Sequence, residues 1–439
     1  MVMKLKYIAV AIATVSAPLA QAAGFYLKEQ SIVSQGAAFA GAAARQDAAS
    51  SVYFNPAGIA EMNSQIEGGV HLLIPDQTVT GTNDPLAGTA AAGLLSTAAQ
   101  EPLSNSTIPN FYYTRPLGDG VAGFGISAPF GSKNEYSSNF TGAFDSYYVK
   151  LKTVDISFAY AKTLSETARL GGALVYQTAD IEQRKRVSVT GSTATLKGDS
   201  TALGMTIGAQ FDLESGGVLG ISYKKGLEQD IEGTNTVSAL FSTDPDGAGA
   251  VPTLDFAAGT YTASGKLKLP SMLSISLIHP ISDKTDLMFD VTRYGWSAYD
   301  NLTVNTAWGE QAINGGGGAT LNLGTQPKVS DQNYSDTTSF SIGAEHRYGN
   351  GWTARAGLHL DPTPTNDTDR SFTTPDGDRT WIALGASKET DSGVTWDLAY
   401  THIKVDDTTL NRATDAGTVS ATAESTFNII SIGVRVPLN

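Results

Sequence analysis

The chain has 439 residues, 46 Gly, no Cys and a formal net charge of −14. Without Cys there is no disulfide framework and no Cys-based metal site, and the acidic balance argues against nucleic acid as a partner. A mean hydropathy of −0.10 suits a soluble protein and a strand-built membrane protein alike, so the periodicity of the sequence has to decide between them.

Residues 1–22 read as a secretory signal peptide. Lys4 and Lys6 precede a short apolar run, Tyr7 to Val15, and Ala20-Gln21-Ala22 supplies an A-x-A cleavage site. The run is too short to span hydrocarbon, and no Cys follows it to carry a lipid. The mature chain is expected to begin Ala23-Gly24-Phe25. Residues 23–64 differ from everything after them. Gly36-Ala37-Ala38-Phe39-Ala40-Gly41 reads as short helical turns, and Ser51-Val52-Tyr53-Phe54-Asn55-Pro56-Ala57-Gly58 ends on a turn signal. There Pro56 removes a backbone donor and pushes Asn55 out of the helical region. A segment this small and weakly apolar cannot hold a core of its own. It is expected to fold as a hatch inside a barrel made by residues 65–439, with Asn55 bonded to backbone groups that lock it there.

Residues 65–439 alternate in the manner of strands. Val154-Asp155-Ile156-Ser157-Phe158-Ala159-Tyr160, Val394 to Tyr400 and Ile430 to Val436 each place apolar residues on one face. No later run of eighteen apolar residues offers a helical span, which leaves a closed barrel as the membrane-spanning solution. Tyr160, Tyr223 and Tyr400 end apolar faces where an interfacial girdle would lie. Strands are expected near 66–80, 106–118, 120–131, 147–162, 167–184, 198–213, 217–233, 260–280, 284–304, 333–348, 351–361, 378–389, 393–406 and 424–438. That is about fourteen, an even number as single-chain barrels require. Tight turns at Gly118-Asp119, Ser215-Gly216, Gly349-Asn350 and Ser392-Gly393 alternate with long polar stretches at 81–105, 132–146, 234–259, 305–332, 362–377 and 407–423. Short turns on one rim and long loops on the other is the outer-membrane arrangement. The fold class is therefore all-β: a transmembrane antiparallel barrel of about fourteen strands with a small N-terminal helical hatch in its lumen.

Several ordered motifs carry a resemblance. They are Ala23-Gly24-Phe25, Asn55-Pro56-Ala57, Leu267-Lys268-Leu269-Pro270-Ser271-Met272, Tyr294-Gly295-Trp296-Ser297, Trp352 to Leu358, Asp361-Pro362-Thr363-Pro364 and Thr374 to Trp381. Together they resemble the FadL/TodX family of outer-membrane transporters for long-chain fatty acids and other hydrophobic molecules. The resemblance implies a fourteen-stranded barrel plugged by a hatch and passive movement of cargo through a pocket near the mature N-terminus. It further implies exit through a gap in the wall at a kink in the third strand. Here that strand reads Ala128-Pro129-Phe130-Gly131. Pro129 cannot donate to a ladder and Gly131 tolerates a bend.

The resemblance places Phe25 and Leu27 in the pocket. Leu240 and Phe241 of the 234–259 loop would contribute to an outer landing groove. Lys266 and Lys268 face inward if the face carrying Leu267, Leu269, Leu273, Ile275 and Leu277 is outward, and Arg355 faces inward with Glu345 beside it. These three cations are the candidates for a cargo carboxylate. Arg184-Lys185-Arg186, with outward Lys150 and Lys152, would meet lipopolysaccharide at the outer rim. The barrel assembly machinery is an expected partner of a monomer, although the last strand ends on Val436-Pro437-Leu438-Asn439 without the usual aromatic residue. No cofactor or metal is expected: Asp367, Asp369, Asp376 and Asp378 share one loop, read as solvated. Uncharged or aromatic hydrocarbons and oxidised lipids are the alternative cargo, and a receptor or adhesin using the long loops is the alternative function. An enzyme is not expected, since His71, His279, His346, His359 and His402 are scattered and no Ser lies in G-x-S-x-G.

Overall fold

The computed structural model describes residues 24–89, 91–189, 191–238, 241–243, 254–313, 320–322 and 324–438. The expected signal peptide, Ala23, Leu240 and Asn439 lie outside them. The chain from Gln65 onward forms a closed antiparallel barrel of 14 strands, because its apolar residues recur at every second position and a closed sheet leaves no backbone edge. We number the strands β1 (Gln65–Gly81), β2 (Ser106–Leu117), β3 (Gly120–Ser127, resuming at Gly131–Glu135), β4 (Tyr148–Ser165), β5 (Ala168–Arg186), β6 (Thr193–Asp212) and β7 (Val218–Lys224, resuming at Glu228–Val237). They continue as β8 (Gly259–Lys268, resuming at Met272–Ser282), β9 (Thr285–Tyr294 and Asn301–Ala307), β10 (Thr325–Asp331 and Thr337–Arg347) and β11 (Trp352–Asp361). The last three are β12 (Arg379–Glu389), β13 (Thr395–Val405 and Thr408–Thr414) and β14 (Gly417–Pro437). β1 pairs with β14 from Gln65↔Pro437 to Gly81↔Ala421, which closes the cylinder. Pro437 thus stands at the short-turn rim, where a missing donor is tolerated.

One expected loop is absent. Residues 407–423 continue the sheet, with Thr408–Thr414 pairing against Gly417–Ala423 as a hairpin. The run of Thr, Ala and Ser with alternating polarity there is a strand pattern that stands clear of lipid, so it lacks the apolar face that marks the other strands.

The wall changes character along its height. Near the short turns the outward residues are apolar and the inward ones polar: Trp396, Leu398 and Tyr400 of β13 are exposed while Asp397 is buried. Near the long loops the order is reversed. Val149 and Leu151 of β4 are buried, and Lys150 and Lys152 point outward. The lower half crosses hydrocarbon around a polar interior; the upper half stands in water around a dry one. Tyr160, Tyr223 and Tyr400 all face outward at the same distance from the short-turn end of their strands, and Tyr160 bonds to Asp119 in a short turn.

In unbroken β4 the two faces exchange residue types along one continuous strand, whereas β8 is itself broken where its faces exchange. In β8 the residues Leu269-Pro270-Ser271 belong to no strand. Leu267 and Leu269 consequently face inward and are 2% exposed, while Leu273 and Ile275 face outward at 41% and 44%. The single apolar face read across this stretch is two faces. Lys266 and Lys268 therefore point outward, and Lys266 pairs with Glu228 and Asp230 on the outer surface.

Gly24 to Ser64 lies within the barrel as two one-turn helices, α1 (Ile32–Gln35) and α2 (Ser51–Phe54), with 3-10 turns at Ala42–Ala44 and Pro56–Ile59. Nearly every residue in it is buried. Ser31 caps α1 by accepting from Ser34 N at 3.3 Å, and Asn55 caps the last turn by accepting from Ala57 N at 3.1 Å. The Asn55 amide donates to the carbonyls of Ala43 at 2.6 Å, Ala209 at 3.1 Å and Ile221 at 3.3 Å. This contact needs Gly208 on the wall, since a Cβ there would stand 1.9 Å from Asn55 Oδ1. Pro56 and Ala57 lie against Gly171 of β5 in the same way.

Candidate functional site

A cavity of about 900 Å³ opens among the upper strands and long loops. Its walls are mostly apolar in area, with Val149, Leu151, Ile181, Leu196, Leu267 and Val304 among them, but Asp145, Lys185, Lys328, Arg412 and Asp415 also line it. The apolar ones are the inward residues of strand halves whose polarity has inverted. Phe25 forms the floor, edge-on to Trp296 at 5.0 Å and Tyr299 at 5.3 Å, and tilted against Phe130 at 6.0 Å. Apolar walls closed by aromatic rings suit a hydrophobic guest, which gains about 25 cal/mol for each Å² of apolar surface removed from water.

The segment that begins at Gly24 is held in place by the loop between β11 and β12. Gly24 N donates to Asp376 at 2.8 Å, and Thr363 Oγ1 donates to the same carboxylate at 2.6 Å. Arg379 pairs with Asp376 from the other side. Gly24 adopts φ 63°, and a Cβ would meet the Trp296 ring at 3.0 Å, so both conformation and space require glycine. Of the four acidic residues read as solvated only Asp376 is buried; Asp367 pairs with Arg370 yet is exposed, as Asp378 is, and Asp369 accepts from Asn333.

The next residues run beside the third strand. β3 stops at Ser127 and resumes at Gly131. Its lower half pairs with β2 from Phe111↔Ile126 downward, whereas its upper half pairs with β4 alone. Ser106 to Asn110 of β2 are left with β1 on one side and no strand on the other. Pro129 therefore interrupts the wall within its height and does not merely end a strand at the rim. Ala128, Pro129 and Phe130 turn inward onto the N-terminal segment. Leu27 N donates to Pro129 O at 2.7 Å and Gly131 N to Phe25 O at 2.9 Å. Gln30 serves both backbone groups of Ala128, at 3.0 Å and 2.9 Å. Leu27 is not on the cavity wall; it packs with Ala128, Ile108 and Leu73 behind the break. The floor residue Phe25 and the break residue Phe130 are in ring contact, so cavity and interruption are contiguous.

The charged candidates separate. Arg355 faces inward, as expected, but far below the cavity in a paired network. It donates to Glu345 at 2.6 Å and Ser387 at 2.5 Å, while Arg45 of the N-terminal segment reaches Glu345 at 3.2 Å. Lys266 and Lys268 are outside the barrel. The cation on the cavity wall is Lys185, the middle residue of a triplet expected to sit wholly at the rim. Alternation sends Arg184 outward to Glu182 and Lys185 inward. The other cavity cations are engaged: Lys328 with Asp415 at 2.7 Å, and Arg412 with Asp145 at 3.3 Å. Lys185 makes no ion pair among the described residues. Beneath the floor, burial raises the Glu29 carboxyl to about 7 despite Arg379 and Lys28 nearby, and the same burial lowers the Lys28 ammonium.

The family model described as outer membrane protein transport protein (OMPP1/FadL/TodX) matches residues 13–437. A long-chain fatty acid transport protein of Escherichia coli O6:H1 is 25% identical over 409 residues, covering 86% of each chain. The crystal structure of a Pseudomonas aeruginosa FadL homologue superposes with a TM-score of 0.80 at 21% identity, over 95% of this chain and 100% of that one. The Ralstonia pickettii toluene transporter TbuX gives a TM-score of 0.62 at 17% identity, over 94% and 98%.

Proposed function

Since the chain belongs to the OMPP1/FadL/TodX family of outer-membrane transport proteins, we propose that it moves long-chain fatty acids passively from the cell surface into the outer leaflet. It is a transport channel of the Gram-negative outer membrane and not an enzyme. Cargo enters the apolar cavity, displaces Phe25 from its aromatic neighbours and leaves sideways between β2 and β3. The observation that carries this reading is the contact of Phe25, on the cavity floor, with Phe130, in the break of the third strand. The sideways path spares an acyl chain the charged lumen around Glu345 and Asp397, where each exposed CH₂ would cost about 0.8 kcal/mol. On the outer face, Lys150 and Lys152 suit lipopolysaccharide phosphates.

Lys185 favours an acid over a hydrocarbon as cargo. An ammonium without an ion pair among the described residues, on a wall whose area is mostly apolar, suits a carboxylate head, and a hydrogen bond to a charged group contributes about 1.5–3 kcal/mol. We expect Lys185→Met to weaken binding of a fluorescent long-chain fatty acid by the purified barrel at least about tenfold. Displacement of an uncharged aromatic hydrocarbon should be unchanged. Equal loss for both would mean that Lys185 only shapes the cavity. No loss for either would remove the fatty-acid assignment and leave hydrocarbons as the cargo.

A further inference from the structure

The wall is interrupted a second time, between β6 and β7. The β6–β7 ladder runs from Ala194↔Val237 to Asp199↔Glu232 and again from Thr206↔Lys224 to Asp212↔Val218. Between these stretches Ser200 to Met205 of β6 has no β7 ladder partner. Lys225 N reaches Met205 O at 3.0 Å at the lower edge, and the chain above it, Gly226-Leu227, bends toward β8, where Leu227 O accepts from Leu269 N at 2.7 Å. The opening is filled by one side chain. Leu227 seats over Gly204, so closely that a Cβ on Gly204 would meet Leu227 Cδ2 at 2.9 Å.

Both sides of this plug suit an acyl chain. Toward the lumen, Leu227 packs against the cluster that holds Phe25, Phe130, Leu151 and Leu267, the same residues that floor and wall the cavity. Toward the lipid stand Leu203, 79% exposed, and Met205, 43% exposed. A cleft of about 10 Å³ lies here, lined by Phe130, Val175, Met205, Leu227 and Leu269 and by the polar groups of Asp155, Gln177 and Lys224, too small to hold more than about one water. The two interruptions also meet along one ladder row. Thr153 of β4 bonds the Phe130 backbone in the third-strand break, and the register Thr153↔Ala179↔Ser200 places the start of the second interruption on that same row.

We propose that this seam is a second lateral port from the cavity to the outer leaflet, closed by the Leu227 side chain. Elsewhere an intact ladder would have to be broken to admit cargo, whereas here the ladder is already absent and Leu227 is the side chain seated over Gly204 in its place. The port takes the same cargo as the third-strand break and rests on the reading that cargo leaves sideways.

The test uses whole cells making the full chain, with assembly verified by the gel shift between unboiled and boiled protein. Radiolabelled oleate uptake is measured for Leu227→Ala and Leu227→Trp, each with and without a reducible Ile108→Cys/Ala128→Cys bridge sealing the third-strand break. In the sealed background Leu227→Ala should raise uptake roughly tenfold, equivalent to about 1.4 kcal/mol off the barrier. Leu227→Trp should abolish what remains. If neither substitution changes uptake in either background, while reduction of the bridge restores it, the second port is wrong and the third-strand exit stands. If sealing alone costs nothing and Leu227→Trp then stops uptake, flux belongs to the second port. If neither the bridge nor either Leu227 variant matters, both sideways routes fall.

Discussion

Bridging Ile108→Cys to Ala128→Cys is expected to reduce fatty-acid uptake at least about tenfold, with recovery on adding reductant. The two positions share one hydrophobic cluster beside the interruption, and the chain has no other Cys, so the bridge is unambiguous. Its effect follows from how the wall is built. Ser106 to Asn110 of β2 are unpaired toward β3 because β3 leaves the sheet at Ala128, where Pro129 offers no donor and Gln30 takes over the backbone bonds of its neighbour. A covalent tie across that gap holds the edges together whatever Leu27 and Phe25 do. Pro129→Val should act in the same direction more weakly, since restoring a donor permits but does not force a continuous ladder. Unchanged uptake with the bridge verified on a non-reducing gel would show that cargo does not depend on this gap.

Asn55→Ala is expected to leave the barrel assembled and to loosen the N-terminal segment. The side chain makes three donor contacts to carbonyls and one acceptor contact to Ala57 N; those with Ala43 and Ala57 are buried and those with Ala209 and Ile221 part-buried. Leaving such carbonyls without a donor costs on the order of 1–3 kcal/mol, a large share for a segment with no core of its own. The strands do not use Asn55, so the heat-shift on gels should persist while protease nicks appear between Gly36 and Ser64. Asn55→Asp separates the readings. It keeps the acceptor for Ala57 N but sets a carboxylate against three carbonyl oxygens, so it should be at least as damaging as alanine. An aspartate variant with parental uptake and protease resistance would reduce Asn55 to a turn former.

The strands were legible because every inward–outward switch in a lipid-crossing wall is written as a polar–apolar switch, and the short turns fixed their ends. What failed was parity. Leu269-Pro270-Ser271 looked like the middle of one strand, yet it resets the alternation, and that reset put Lys266 and Lys268 outside. The reversal has a physical cause that spacing alone does not display: above the membrane, water is outside and the dry space is inside. The same reversal hid Lys185 between two arginines. Phe25 and the break at Pro129 were legible from motif and proline chemistry. The clasp of Asp376 on Gly24 was not, because the two lie 352 positions apart and the loop reads as polar and solvated. Asn55 was singled out by its proline neighbour, but the wall glycines that receive it, Gly171 and Gly208, carry no side chain to signal a contact.

The path of the cargo is open to direct mapping. A long-chain fatty acid bearing a diazirine near its methyl end would be photolysed on cells making the full chain, and the labelled peptides located by mass spectrometry. Labels are expected on the cavity wall at Leu151 and Leu267, on Phe25 and Phe130, and on the open edge of β2 between Ser106 and Asn110. Labelling of the lower lumen around Glu345, Arg355 and Asp397, with none at the β2 edge, would mean that cargo runs down through the barrel and would contradict the sideways path.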